Sequence, residues 1–362
     1  MHAPAGPALT APDQIETDAL IVGAGPVGLF QVFELGLLEI RAHVVDSLPG
    51  PGGQPAELYP DKPIYDIPGI PVCTGRQLVD ALLQQIAPFA PGFHFGQTVT
   101  RVHAGADGRI EVGTSRGTQF ACRALFIAAG VGAFEPRRLR VPGIDAFEAT
   151  QLRYHLDDPA ALRGAQVLIV GDGDSALDAA IALAQADSDR AASVTLLHRR
   201  DAFVASPDRV TRMRALCDAG RMQFRVGQIT ACQAEAGRLR AVELAAPDGS
   251  VATLAIDRLL VLQGLSPKLG PIADWGLPME RKQLAVNTET FSTATPGIFA
   301  VGDINTYPGK KKLILSGFHE CALAAYGAVP FVFPGQGSPA LEYTTSSGRL
   351  HRLLGVNPPA AG

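Results

Sequence analysis

Two segments of the chain share one pattern, and this repeat restricts the possible folds more than any other feature. Residues 19–25 read ALIVGAG, and residues 167–173 read VLIVGDG. Each is a short apolar run of mostly branched residues that ends in glycines, which is typical of a buried parallel strand leading into a phosphate-binding loop. The repeat therefore predicts two nucleotide-binding units of the same α/β class.

The segments that follow the two glycine runs also have the same order. In both copies the sequence predicts an apolar helix, a second buried strand, an antiparallel meander with tight turns, and a further apolar strand that ends in glycine. The two closing strands read ALFIAAG at 124–130 and RLLVLQG at 258–264. This shared order indicates that one kind of domain occurs twice.

A third block suggests that one domain is inserted into the other. Residues 297–303 read GIFAVGD, again a buried strand ending in Gly-Asp, and residues 316–328 form an apolar helical stretch. No such block lies between the two repeats, so it completes the first domain after the second. We expect two Rossmann-like dinucleotide-binding domains with three ββα layers, the second inserted into the first.

The expected domain bounds follow from turn-forming residues. The chain is rich in turn formers near 141–143 and 276–281, where we expect it to pass between the domains. The expected parts are a flexible tail at 1–16, a first domain at 17–145 and 281–337, a second domain at 146–280, and a C-terminal extension at 338–362.

The first glycine set has the spacing of a dinucleotide-binding loop. Gly23, Gly25 and Gly28 follow a strand and open a helix, and Asp46 ends the next strand. The glycines permit a tight turn, close approach of a pyrophosphate and helix–strand packing, and the carboxylate can accept hydrogen bonds from ribose hydroxyls. The alternative is an ordinary glycine-rich turn with an acidic residue at a strand end.

The second set has the same spacing but the opposite charge at its strand end. Gly171 and Gly173 are followed by Ala176, a residue that the third position tolerates. The next strand ends in three basic or titratable residues: His198, Arg199 and Arg200. Guanidinium groups match a phosphate in charge and geometry, so this end favours the 2′-phosphate of NADPH. The alternative is an exposed basic strand end that contacts only water.

Two dinucleotide sites in one chain suggest electron transfer between their ligands. A nicotinamide donates a hydride, and a flavin is the usual acceptor of two electrons. We therefore expect FAD at the site that ends in Asp46 and NADPH at the site that ends in arginines. Direct hydride transfer needs no acid–base pair, so no catalytic side chain is assigned.

Composition argues against several other classes of protein. The net charge is −4, whereas a nucleic-acid binder carries a basic excess. No uninterrupted apolar run reaches the roughly 18 residues of a transmembrane helix, and residues 1–16 lack the basic and apolar regions of a secretory signal. We expect neither nucleic acid nor a membrane as a partner.

The cysteines argue against a disulfide framework and a metal site. The chain has five of them, an odd number with no CxxC pair. The reducing cytoplasm is the natural compartment for such a chain. These residues are Cys73, Cys122, Cys217, Cys232 and Cys321.

Longer motifs resemble a known family. The chain resembles the thioredoxin-reductase-like flavoproteins in GAGPVGL at 23–29, PGGQP at 51–55, HRRD at 198–201 and VGD at 301–303. Within this group it is most similar to the thioredoxin-reductase-like ferredoxin–NADP reductases. Four segments carry that similarity: YPDKPIYDIPG at 59–69, GDGDSALD at 171–178, YPGKKKLILSGFHE at 307–320 and EYTTSS at 342–347.

One absence separates the chain from the disulfide reductases of that group. They carry a redox CxxC shortly before the second glycine loop, whereas residues 149–162 here read ATQLRYHLDDPAAL. Because dithiol exchange needs two paired thiols, reduction of thioredoxin is nearly excluded.

The resemblance implies roles for residues around the flavin. It implies that Asp46 holds the adenosine ribose of FAD, that Gln54 meets the isoalloxazine edge, and that Tyr59 stacks on one ring face. The alternatives are a core aromatic for Tyr59 and a turn residue for Gln54.

The same resemblance assigns five further residues. Val99 would meet the adenine through its backbone, Phe134 would line the flavin pocket, and Asp303 would bind the ribityl chain. Tyr343 and Thr344, on the C-terminal extension, would cover the other flavin face. The alternatives are a plain strand residue for Val99, a core aromatic for Phe134 and a helix or turn cap for Asp303. For Tyr343 and Thr344 the alternative is a disordered tail.

The chain departs from the family pattern at one position. Related reductases typically continue HRRDxFRA, whereas this chain reads HRRDAFVA, with Val204 in place of a third arginine. Arg209 is a candidate to compensate for this loss.

The function implied by the resemblance is that of a homodimeric ferredoxin–NADP reductase. Such an enzyme transfers hydride between NADPH and FAD and exchanges single electrons with ferredoxin or flavodoxin. The alternatives are an NADPH-dependent flavin oxidase or diaphorase, with oxygen or quinone as acceptor, and a non-enzymatic flavin redox sensor. Basic runs at 137–140 and 310–312 are candidate docking patches for an acidic ferredoxin.

Overall fold

The computed structural model describes residues 14–148, 150–186, 190–337 and 339–356. The chain forms two compact units, of which the first contains the chain up to Ala133 and again from Lys268, and the second is Phe134–Pro267. The second unit is thus inserted into the first.

The elements before the crossing belong to the first unit. Its strands here are β1 (Ile15–Glu16), β2 (Ala19–Val22), β3 (Ala42–Val45), β4 (Pro63–Ile64), β5 (Cys73–Thr74), β6 (Gly92–His94), β7 (Val99–Ala104), β8 (Ile110–Thr114), β9 (Gln119–Cys122) and β10 (Ala124–Ile127). Its helices are α1 (Pro26–Leu37), α2 (Gly53–Leu58) and α3 (Gly75–Ile86).

The inserted segment and the return to the first unit complete the chain. The next strands are β11 (Ala133–Pro136), β12 (Leu152–Arg153), β13 (Gln166–Val170), β14 (Ser193–His198), β15 (Gln223–Val226), β16 (Gln228–Glu235), β17 (Arg238–Ala245), β18 (Val251–Ala255), β19 (Arg258–Val261) and β20 (Leu265–Lys268), with helices α4 (Asp174–Gln185) and α5 (Pro207–Asp218). The first unit then resumes with β21 (Met279–Glu280), β22 (Gln283–Ala285), β23 (Ile298–Ala300), β24 (Asn305–Thr306), α6 (Ile314–Val332) and α7 (Gly348–Leu353).

The first unit is built on a parallel sheet with the strand order β23-β10-β2-β3-β6. Successive side chains of β2 point to opposite faces, as in any strand. Ala19 and Ile21 pack with helices α1, α3 and α6, whereas Leu20 and Val22 pack with the antiparallel meander β7-β8-β9. Because both faces are covered, all four residues of β2 are buried, which explains the continuous apolar run.

The second unit repeats this plan. Its parallel sheet has the order β12-β19-β13-β14-β15, and its meander is β16-β17-β18. Val167 and Ile169 face helices α4 and α5, whereas Leu168 and Val170 face the meander. Both units therefore have the three ββα layers that the repeat predicts.

The units divide earlier in the chain than the turn formers suggest. The boundaries fall at 133/134 and 267/268, where β11 and β20 form a two-stranded ladder. The turn-rich segments lie inside the units: Val141 is buried in the core of the second and Leu277 in a core of the first. Extended strands rather than turns thus carry the chain across, and the observed bounds differ from the expected 145/146 and 280/281.

The N-terminal tail was predicted too long. Ile15 and Glu16 form β1, which pairs in parallel with β9, Ile15 opposite Phe120. Residues 1–13 lie outside the described residues, as do Ser338 and 357–362 of the C-terminal extension. None of the helices in the described ranges combines the length and apolar character that crossing a bilayer requires.

Candidate functional site

The first glycine loop leads from β2 directly into α1. A Cβ atom at Gly23 would lie 2.4 Å from the carbonyl oxygen of Ala128, and one at Gly28 would lie 1.9 Å from that of Gly23. Gly25 is the N-cap of α1 and provides no side-chain cap, so the first N–H groups of the helix are available to an anion. The loop can therefore hold a pyrophosphate close to the backbone.

Asp46 ties the end of β3 to this loop. Its Oδ2 accepts a hydrogen bond of 2.6 Å from the backbone N–H of Ala24, and its Oδ1 accepts one of 2.8 Å from Leu48. Burial raises the pKa of Asp46, although these backbone donors act in the opposite direction. A carboxylate has about four acceptor positions, so Asp46 retains capacity for ribose hydroxyls.

Gln54 lies beside the same loop. The backbone N–H of Gly52 donates to the carbonyl of Ala24 at 2.8 Å, which fixes the start of α2 next to the glycine turn. A Cβ atom at Gly130, just after β10, would be 3.2 Å from Nε2 of Gln54. Gln54 thus lies between the glycine loop and the carboxyl end of the central sheet.

Tyr59 and Asp303 act on one another electrostatically. Burial raises the pKa of Tyr59, and the carboxylates of Asp303 and Asp66 raise it further. Tyr59 ends α2, and Asp303 follows β23, which neighbours β10 in the sheet. Two residues that are far apart in the sequence, and that the resemblance assigns to the flavin, thus lie within electrostatic range of one another.

Val99 is positioned through its neighbours. It is buried at the start of β7, opposite Thr114. The N–H of Gln97 donates to the carbonyl of Asp46, and the N–H of Asp46 donates to the carbonyl of His94. The segment before Val99 therefore runs beside the expected ribose contact. Phe134 is the first residue of the second unit, half-buried in β11.

The C-terminal extension lies at the other end of α1. Arg349 donates to the carboxylate of Glu39 at 2.7 Å and to the carbonyl of Leu37 at 3.3 Å, and it also binds Glu342. Helix α1 is about 18 Å long, so this anchor is far from the loop at Gly25. Within one chain, the segment that carries Tyr343 and Thr344 is attached away from the expected flavin site, and Tyr343 is exposed.

The second glycine loop is also shaped for close approach. A Cβ at Gly171 would lie 2.3 Å from the carbonyl oxygen of Leu262 and 2.7 Å from Cβ of Ala176. Gly173 caps α4 without a side-chain cap, and nothing lies within 4 Å of the place its Cβ would take. The N-terminus of α4 is therefore open to an anion.

The basic strand end lies beside this loop. Nε2 of His198 is 3.5 Å from Oδ2 of Asp172, which stands between the two loop glycines. Burial lowers the pKa of His198, and Arg199 and Arg200 lower it further, whereas Asp172 raises it. The two arginines are exposed, as a contact with a bound phosphate requires.

The segment after the arginines folds back onto the loop. The N–H groups of Val204 and Ala205 both donate to the carbonyl of Asp172, at 3.0 and 3.2 Å. Val204 itself is 79% exposed. Arg209, the candidate to compensate for Val204, is bound to Asp178 at 2.6 Å and to the hydroxyl of Ser206 at 2.9 Å. Its guanidinium is thus already engaged.

The candidate docking patch at 310–312 has fewer exposed lysines than the sequence predicts. Lys310 is not a surface residue: its side chain is only 6% exposed and pairs with the fully buried Glu320. Only Lys311 and Lys312 remain exposed. In the other run all three arginines are exposed, and Arg138 also binds Glu148 at 2.7 Å. The buried pair gives no signal in the sequence, because a run of lysines is typical of a solvated surface.

Metal-binding clusters and disulfides are not part of the site. Across the described ranges, no group of three or more potential metal ligands comes together. The five cysteines are all free thiols.

Two parallel-sheet units, each with an open glycine loop at the start of a helix, define a two-domain dinucleotide-binding protein. Residues 17–325 match the family model described as pyridine nucleotide-disulphide oxidoreductase. The chain belongs to this family.

The chain also has relatives of high sequence identity, and a solved structure shares its fold. The chain is 61% identical over 345 residues to a protein of Polaromonas naphthalenivorans named ferredoxin–NADP reductase, covering 95% of this chain and 94% of the relative. It is 61% identical to one of the same name from Albidiferax ferrireducens, covering 96% and 98%. The fold is similar to that of a bacillithiol disulfide reductase from Staphylococcus aureus, with a TM-score of 0.61, 17% identity, and coverage of 87% of this chain and 99% of that one.

Proposed function

We propose that this protein is a ferredoxin–NADP reductase, which oxidises NADPH and passes the electrons singly to ferredoxin or flavodoxin. The observation that carries the proposal is the identity of 61% with relatives of that name over nearly the whole chain. Two glycine loops with opposite charge at their strand ends support it, as does the lack of a CxxC pair.

The first loop fits FAD. Gly23, Gly25 and Gly28 would bring the backbone to the pyrophosphate, and Asp46 would accept from the adenosine ribose. The backbone at Val99 would meet the adenine. When bound, FAD supplies the capacity to take a hydride from NADPH and to release electrons one at a time, which the side chains lack.

The other proposed contacts lie around the isoalloxazine and the ribityl chain. Gln54 would donate to the edge of the ring system from its place beside Gly130, and Tyr59 would shield one face from water. Asp303 would accept from the ribityl hydroxyls, and Phe134 would line the flavin pocket. Each of these groups would position FAD rather than exchange a proton with it.

The second loop fits NADPH. The open N-terminus of α4 at Gly173 would hold the pyrophosphate, with Gly171 and Ala176 allowing the close turn. Arg199 and Arg200 would clamp the 2′-phosphate, and His198 would support them from the strand end. Preference for NADPH over NADH depends on this clamp.

The proposed assembly is a homodimer in the cytoplasm. The extension is anchored at the far end of α1, so Tyr343 and Thr344 would cover a flavin face only in a second copy. The five free cysteines favour a reducing compartment. Sedimentation or light scattering of the purified protein tests the dimer, and a monomer at micromolar concentration would contradict it.

Steady-state turnover with different acceptors tests the function. The protein should reduce ferredoxin or flavodoxin with NADPH much faster than it reduces oxygen. Peroxide production without protein reduction would instead identify an oxidase or diaphorase. Binding of FAD without turnover of any acceptor would identify a redox sensor.

A further inference from the structure

A buried ion pair lies directly behind the turn that carries Asp303. Glu320, on α6, is completely buried, and its Oε2 accepts from the backbone N–H of Gly302 at 2.7 Å and from Nδ2 of Asn305 at 2.8 Å. Its Oε1 accepts from the hydroxyl of Tyr307 at 2.9 Å and from the ammonium group of Lys310. The four donors to this carboxylate all lie in the segment between β23 and α6.

The partner cation completes the attachment. Nζ of Lys310 also donates to the carbonyl oxygen of Gly302 at 2.9 Å. The two charged groups of one ion pair thus hold both backbone polar atoms of a single glycine. Gly302 has φ +79°, a conformation that other residues rarely adopt, and immediately precedes Asp303.

This turn also lies next to the first glycine loop. A Cβ at Gly302 would lie 3.3 Å from Val27, in the first turn of α1, and one at Gly317 would lie 2.4 Å from the same side chain. Val27 follows the loop glycine Gly25 by two residues. Any rotation of the Gly302 peptide would therefore change both the position of Asp303 and the packing against Val27 behind the first glycine loop.

We propose that the Lys310–Glu320 ion pair is a positioning device for the flavin, which fixes the Gly302–Asp303 turn and thereby sets both FAD affinity and flavin midpoint potential. This inference rests on the proposed function, because it assumes that Asp303 contacts FAD. The side chains of the pair are 6% and 0% exposed, so water screens their charges weakly.

The charges of the pair determine in which direction each substitution should shift the flavin midpoint potential. In the intact protein the positive and negative charges offset each other close to the turn. Removal of Lys310 leaves the negative Glu320, which disfavours the electron-rich reduced flavin, and removal of Glu320 leaves the positive Lys310, which favours it. A purely structural role would not shift the potential in opposite directions.

The test measures FAD dissociation and midpoint potential in the full-length holoprotein. Lys310→Met should lower the potential and Glu320→Gln should raise it, and each should raise the FAD dissociation constant about tenfold or more because a charged hydrogen bond to Gly302 is lost or weakened. The double variant should return the potential towards that of the wild type while FAD remains weakly bound. The matched control is Lys282→Met, an exposed lysine between β21 and β22, which should leave both FAD quantities unchanged.

A milder variant tests the proposal even if the Lys310 and Glu320 variants do not fold. Tyr307→Phe removes one donor to Glu320 and leaves the ion pair in place, so it should lower the potential. Unchanged FAD affinity and potential in the folded variants would overturn the inference, as would equal shifts of the same sign in both single variants. A wild-type protein that holds no FAD would instead contradict the proposed function.

Discussion

The carboxylate of Asp46 and the backbone N–H of Ala24 are joined by a hydrogen bond of 2.6 Å, which links the end of one parallel strand to the loop after its neighbour. This bond holds the loop against the end of β3. Asp46 therefore has two proposed tasks: it fixes the first glycine loop, and it offers its remaining acceptor positions to the ribose.

We expect Asp46→Ala to weaken FAD binding by about tenfold to a hundredfold, since hydrogen bonds to a charged group contribute roughly 1.5–3 kcal/mol. Asp46→Asn should lose less, because the amide oxygen can still accept from Ala24. Fluorescence titration of the apoprotein with FAD measures both. The control is Asp80→Asn, an exposed carboxyl on α3. Equal FAD affinity in Asp46→Ala and the wild type would contradict the assigned role.

The sequence predicted the family and the fold class, and both are confirmed. The reason is physical: strands buried on both faces, such as β2 and β13, give continuous apolar runs that are hard to mistake. The bounds of the domains and of the short strands were harder to predict from the sequence. The strand β1 has two residues, too few for any periodicity, and the crossing strands β11 and β20 have only four residues each.

Val204→Arg should strengthen NADPH binding by about tenfold and leave NADH binding unchanged. The side chain of Val204 is exposed, its backbone is bound to the second glycine loop, and Arg209 is already engaged by Asp178. A guanidinium placed there gains a charged contact only with the 2′-phosphate. Dissociation constants for NADP⁺ and NAD⁺ from equilibrium titration check this.

Val251→Arg, at an exposed position in the meander of the second unit, is the control for a general effect of added positive charge. Conversely, alanine at both Arg199 and Arg200 should weaken NADPH binding and spare NADH. If the two nucleotides respond equally to either change, the basic strand end does not read the 2′-phosphate.

The contribution of Glu34 to the free energy of unfolding should fall as the pH rises from about 4.5 to about 7. Burial raises the pKa of this carboxyl on α1 from 4.5 to about 7. Below pH 4.5 the group is protonated in both states, so it has no effect there. Between the two values the unfolded chain ionises while the folded chain does not, which costs at most about 3 kcal/mol. Above about 7 the cost is constant.

Glu34→Gln should therefore be more stable than the wild type at pH 8 and about equally stable at pH 4.5. Denaturant unfolding at both pH values measures the difference. Glu111→Gln, which removes an exposed carboxyl from β8, serves as the control. A stability difference for Glu34→Gln that is the same at both pH values would reject burial of this carboxyl as the cause.

The site was predictable only where chemistry and spacing coincide. Glycine loops can be recognised in the sequence because their backbone geometry requires glycine, as at Gly23 and Gly28. The Lys310–Glu320 pair gives no such signal, since Lys310 reads as part of a surface run. Which lysine of three enters the interior is decided by the tertiary position of Glu320, and sequence alone does not contain that position.

Lys311 and Lys312 form a candidate docking surface for ferredoxin. Electron transfer to a small acidic protein is accelerated by basic groups near the flavin, and this steering weakens with salt. Because Lys310 is buried and paired, Lys311 and Lys312 are the only members of their run exposed to a partner. They lie next to Leu313 and Leu315, which are 44% and 45% exposed, so the patch combines charge with apolar surface.

Charge reversal of Lys311 and Lys312 to Glu should raise the apparent KM for ferredoxin several-fold at low salt and flatten its dependence on ionic strength. Reduction of ferricyanide by NADPH should be largely unaffected, because a small dye needs no docking surface. The same reversal at Arg137 and Arg140 tests the other run. A double-lysine variant with unaltered ferredoxin turnover across the whole salt range would remove Lys311 and Lys312 from the docking surface and leave the arginine run as the candidate.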